Sequence, residues 1–113
     1  MAQEKPQTEH KFVLPIGYVD SEGNLHREGV MRLATAADEI LPQRDPRVQA
    51  NPGYLPIIVL SRVVVRLGSL KMITTQIIED LFSHDFSYLQ NLYQRINHYD
   101  PSAVPDDKDP IKK

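Results

Sequence analysis

Apolar and polar positions alternate in two stretches near the start of the chain, Phe12 to Val19 and Leu25 to Leu33. Between them lies Asp20-Ser21-Glu22-Gly23-Asn24, a short polar loop with a glycine. Two apolar-rich runs joined this way predict a β-hairpin. Pro15 cannot donate to a ladder, so it belongs at an edge position or a bulge, and Gly29 is a second bulge candidate. The pattern then changes period. Thr35-Ala36-Ala37-Asp38 reads as a helix start, with Thr35 as N-cap and Asp38 where a carboxylate favours the first turn. Pro42 predicts a break or kink soon after, and Arg44 to Val48 a turn or a short second helical piece.

Tyr54 to Leu67 is the most apolar stretch in the chain, with Ser61, Arg62 and Arg66 as its polar positions after Pro56. The reading is one central core helix over 54–67, with Pro56 in its first turn and Gly68 just past its end. Arg62 and Arg66 are four residues apart and would form one narrow stripe on that helix. Leu70 to Ile73 reads as a connector or a strand fragment. Thr74 or Thr75 caps a following helix with Ile77, Ile78, Leu81 and Phe82 on its apolar face. Ser83 caps the last helix, in which Phe86, Leu89, Leu92, Tyr93 and Ile96 recur at helical spacing until Asp100-Pro101. The fold class is α+β: an N-terminal hairpin followed by three to four helices packed around the 54–67 helix. Residues 11–99 form the domain, with a disordered lead-in over 1–10 and a disordered, proline- and charge-rich tail over 100–113.

The 113 residues fit one domain. Cysteine is absent, which excludes disulfides, zinc-thiolate sites and cysteine nucleophiles and suits a cytoplasmic protein. A net charge of −2 gives no general attraction to nucleic acid or anionic membrane, and the apolar run is too short, and too arginine-bearing, to span a bilayer. The candidate chemistry is thin. His10, His26, His84 and His98 lack ligand spacing and read as surface histidines, so no metal is expected. Asp20 to Asn24 lacks the ligand order of a calcium loop. No phosphate-binding glycine motif or paired carboxylate site points to a cofactor or a catalytic group, and the expectation is a non-enzyme. Arg62 and Arg66 either run their stems out to solvent or rim a protein-binding surface. Tyr88, Tyr93 and Tyr99 carry the same pair of readings, core packing or a partner-binding face. The protein-binding candidates are therefore Arg62, Arg66, Tyr88 and Tyr93.

The order of elements carries a resemblance. The hairpin runs into Met31-Arg32-Leu33-Ala34-Thr35-Ala36-Ala37-Asp38-Glu39. An apolar central segment follows, and the chain closes with Ile73-Thr74-Thr75-Gln76-Ile77-Ile78-Glu79-Asp80-Leu81-Phe82, then Asp85, Leu89 and Asn97. Over residues 11–98 this resembles the tail assembly proteins, or tail assembly chaperones, of tailed phages and phage-derived contractile injection devices. The proline pattern Pro42, Pro46, Pro52, Pro56 has no counterpart in it. The resemblance implies a helper without enzymatic activity that binds the tape-measure protein or the tail-tube subunits, with a free form that is small or self-associating. Against it stand a structural subunit of such a particle and a small interaction domain of another role.

Overall fold

The computed structural model describes residues 7–98, so the predicted tail, most of the predicted lead-in and Tyr99 lie outside the described residues. The hairpin is present as β1 (Glu9–Val19) and β2 (Leu25–Arg32). Ordered structure starts at Glu9, two residues earlier than the predicted domain boundary, because Glu9 and His10 pair with Arg32 and Met31. The turn is held by one carboxylate. Asp20 accepts hydrogen bonds from the N–H groups of Glu22 and Asn24 at 2.8 and 2.9 Å, the self-capping an aspartate offers a tight turn. The register of the hairpin breaks between Val13 and Tyr18, so Pro15 sits in a bulge of an edge strand, the place open to a proline.

After the hairpin come α1 (Ala36–Ile40), a 3₁₀ turn over Leu41–Arg44 that begins around Pro42, and α2 (Pro46–Ala50). Asp45 caps α2 through the N–H of Arg47 at 2.8 Å, with Pro46 at the first helical position. Asn51 caps a 3₁₀ turn over Pro52–Tyr54 in the same way, its side-chain oxygen 3.0 Å from the N–H of Gly53.

The central apolar run is not one helix. It is α3 (Leu55–Val63), which passes directly into β3 (Val64–Leu67). At Val64 the backbone turns extended, with φ −82° and ψ 109°. The cause is local and tertiary at once. Val63-Val64-Val65 is a run of β-branched residues, stiff at χ1 and better suited to a pleated surface than to a helix. β3 then pairs antiparallel with β2, which leaves β2 in the middle of a three-stranded sheet of order β1-β2-β3. Without β3 the second strand would have an unpaired edge, and a two-stranded ribbon is marginal in water. An apolar run fixes burial, not period, so a continuous helix over 54–67 and a helix passing into a strand share the same pattern. Gly68 keeps the positive φ expected of a chain reversal, +60°, although it follows a strand and not a helix.

The chain closes with α4 (Thr75–Glu79) and α5 (Ser83–Asn97). Of the two candidate threonines, Thr74 is the cap, accepting from the N–H of Ile77 at 3.2 Å. Ser83 is not a cap: the position is taken by Phe82, whose side chain makes no cap bond, and Ser83 is the first helical residue. The core lies between the inner sheet face and α3, α4 and α5, with Leu14, Met31, Leu60, Val63 and Leu89 at its centre. The fold is therefore α+β, as the pattern predicted, but with a third strand where the second half of the central helix was expected. Among the described residues no helix is long and apolar enough to cross a membrane.

Candidate functional site

Two aspartates in helix first turns, Asp38 and Asp85, are buried side chains. Asp38, in the first turn of α1, is 2% exposed. Arg32 of β2 grips it with two nitrogens at 2.7 and 3.0 Å, and Arg62 of α3 adds its Nε at 2.9 Å. The backbone N–H of Thr35 donates to the same carboxylate at 2.7 Å. The paired guanidinium of Arg32, above all, holds the Asp38 carboxyl well below the usual carboxylate range. Arg62 is thus not free in solvent, although its side chain keeps 36% exposure. It helps tie three elements together at one anion.

Asp85, in the first turn of α5, is 0% exposed. Its two oxygens accept the backbone N–H groups of Ile16 and Gly17, each at 2.8 Å. These are the donors that the β1 bulge turns away from the ladder. Gly17 sits at φ +117°, open to glycine at low cost, and a Cβ there would come within 2.7 Å of Leu25. The buried carboxylate and the bulge explain each other: the bulge supplies two donors in one direction, and the carboxylate satisfies both.

A third polar cluster sits at the hairpin end. His26 is buried, contrary to the expectation of a surface histidine, and its Nε2 lies 2.8 Å from Asp20. That bond, with the backbone donor of Asn24, pulls the Asp20 carboxyl down to about 2. The reason for the burial is Gly68, whose chain reversal passes so close that a Cβ would stand 2.1 Å from the His26 ring. No sequence pattern links residues 26 and 68.

A cleft of about 280 Å³ lies between α1 with its following turn, α3 and α5. Leu55, Pro56 and Val59 supply its apolar wall, and Tyr93 and Glu39 its polar edge. The Tyr93 hydroxyl donates to the Glu39 carboxylate, and burial together with that bond raises the Tyr93 pKa. His98 approaches the same carboxylate at 3.8 Å and lies edge-on to the Tyr93 ring, with centroids 6.0 Å apart. On the segment forming one wall, Ile40 and Leu41 stand about half exposed, at 55% and 45%.

The four predicted binding residues do not converge. Tyr93 lines the cleft, although its side chain is mostly covered. Arg62 belongs to the Asp38 cluster. Arg66 is on β3, where it donates to the carbonyl of Gly68 at 2.8 Å, so the two arginines share no helical stripe. Tyr88 is partly buried under the sheet, its ring edge-on to Phe12 at 6.3 Å. Leu55, Val59 and Glu39 line the cleft with no motif in the sequence to mark them. No group of three metal-ligating side chains occurs among the described residues. Comparison with known proteins gives no matching family model, no matching characterised protein and no matching solved structure.

Proposed function

We infer that the protein is an assembly helper of a phage-tail-like particle, acting without catalysis, whose cleft between α1, α3 and α5 takes apolar side chains of a helical partner. The partner is a tape-measure protein or a tail-tube subunit. The observation that carries the reading is the cleft itself. Its apolar wall is Leu55, Pro56 and Val59, and the segment whose Glu39 and Gln43 line it also carries the exposed Ile40 and Leu41. Apolar side chains displayed beside a groove with a polar edge are the setting for an amphipathic helix laid in by its apolar face. A tape measure presents long helices of that kind before a tube closes around it. The resemblance in element order over residues 11–98 supplies the identity of the particle, and the cleft supplies the mode of binding. The reading asks for no catalytic or metal-bound group.

The test is co-purification of the full chain with the tape-measure and tube proteins encoded alongside it. The expected result is a complex that survives gel filtration. Ile40→Asp and Leu41→Asp, both at exposed positions, should weaken it about tenfold or more without loss of the fold. Absence of binding to every tail component sinks the assembly reading. Binding that ignores both substitutions moves the contact to another surface.

A further inference from the structure

β1 is an edge strand, and its two halves treat that edge differently. In an antiparallel ladder successive residues point their main-chain groups alternately toward and away from the neighbour. The N–H of Leu33 donates to the carbonyl of Thr8 at 2.8 Å, so Thr8 points toward the β2 side. By that alternation His10 and Phe12 also face β2, and Glu9, Lys11 and Val13 turn their N–H and C=O groups outward. Beyond Val13 the edge is closed. The carbonyls of Leu14 and Pro15 accept from Arg27, Pro15 has no N–H, and the N–H groups of Ile16 and Gly17 go to Asp85. Among the described residues the outward groups of Lys11 and Val13 have no partner, and Glu9 has only the side-chain amide of Gln7, which donates to its carbonyl at 3.0 Å from the exposed side.

We propose that Glu9–Val13 pairs antiparallel with the same segment of a second copy, about a two-fold axis at His10. The occupant follows from charge. Main-chain pairing needs outward residues opposite outward residues, which allows only a few registers. Centring on Glu9 sets Glu9 against Glu9, and centring on Lys11 sets Lys11 against Lys11. Centring on His10 sets Glu9 against Lys11 of the second copy, twice, with opposite charges directly across the strands on the exposed outer face. The segment is self-complementary in that register. Val13, 49% exposed, then faces Gln7 of the second copy and loses part of its contact with water. The product is one six-stranded sheet, with the bulge at Pro15 ending the contact on either side. A contact this short buries less than the roughly 1,000 Å² expected of a stable interface, so the dimer is weak and concentration-dependent. A lysine on an edge strand also serves to discourage pairing, and the experiment separates the two roles.

Sedimentation equilibrium of the full chain, up to about 1 mM, reads the association. The expected result is a monomer–dimer equilibrium. Lys11→Glu or Glu9→Lys alone should weaken it about tenfold, because each places like charges opposite one another twice. The double exchange, Glu9→Lys with Lys11→Glu, should restore it. All three changes are at exposed positions, and circular dichroism checks that the fold is kept. A chain that stays monomeric throughout overturns the proposal. So does a dimer that ignores the single changes, or one that the double exchange fails to restore. Ile40→Asp lies away from this edge and should leave the dimer unchanged, so failure here and failure of the cleft reading are separate results.

Discussion

Asp38 and Asp85 pose the same problem and receive different answers. Each is a carboxylate in the first turn of a helix, and each is almost wholly removed from solvent. Asp38 is neutralised by charge, with two guanidinium groups around it. Asp85 is held by dipoles alone: two backbone N–H groups from a strand, at the positive end of its own helix. A buried ion pair offsets its desolvation only where geometry and hydrogen bonding are good, and its side-chain partners keep freedom to readjust toward that geometry. Backbone donors have none. The Asp85 arrangement therefore fixes where α5 meets β1 with a precision that the Asp38 cluster does not need, and it requires an irregular strand to do so.

The sharpest way to break this comparison is Asp85→Ala. Two buried N–H groups would lose their acceptor, at about 1–3 kcal/mol each, so a loss of about 3–5 kcal/mol is expected in urea unfolding. Gly17→Ala attacks the same joint from the strand side, through its positive φ and the close approach of Leu25, and should cost about 2–3 kcal/mol. The double variant should be less destabilised than the sum, since the bulge has no carboxylate left to meet. Strict additivity would mean that the bulge and Asp85 are stable independently.

At Asp38 the two arginines are unequal. Arg32 gives two bonds to the carboxylate, and a third to the carbonyl of Arg62. Arg62 gives one from a side chain 36% exposed. Arg32→Met should cost about 3 kcal/mol, near the lower figure for breaking a buried pair. Arg62→Met should cost about 1 kcal/mol, because one guanidinium remains and water reaches the other site. Equal losses in chemical unfolding would show that the carboxylate needs both charges, and the contrast with Asp85 would grow.

What the chain discloses in advance follows the same division. The hairpin, the turn at Asp20, the bulge at Pro15 and the break at Pro42 rest on local chemistry that proline, glycine and aspartate carry wherever they occur. The switch from α3 to β3 depended on β2 needing a second neighbour, which no window of sequence contains. Three adjacent valines were the sole local hint. Asp85 and Gly17 are 68 residues apart, and Arg32 and Arg62 both converge on Asp38 from other elements. None of these partnerships has a local pattern, because each pair meets only when separate elements fold together. The cleft is likewise a product of three elements meeting. Of its residues only Tyr93 is a binding candidate in the sequence, for its place on an amphipathic helix and not for its bond to Glu39.

The smallest effect expected is at acid pH, and its sign follows from depressed carboxylates, Asp38 and Asp20 among them. Asp38 and Asp20 both titrate below the value of about 3.9 for an aspartate in an unfolded chain. Their folded forms therefore bind protons less readily than the unfolded chain does. The stability this gives is complete above about pH 5 and is lost as pH falls through about 4 toward the folded values. For Asp20 that lower limit is about 2. Urea midpoints measured from pH 5 down to pH 2 should fall steadily for the unaltered chain. Asp20→Asn should flatten that fall slightly, being at a hairpin turn near solvent, and Asp38→Asn should flatten it more while lowering the whole curve. If Asp38→Asn left the acid slope unchanged, the two arginines would not be holding its charge. The cluster would then resemble the Asp85 joint, a matter of geometry more than of ionic pairing.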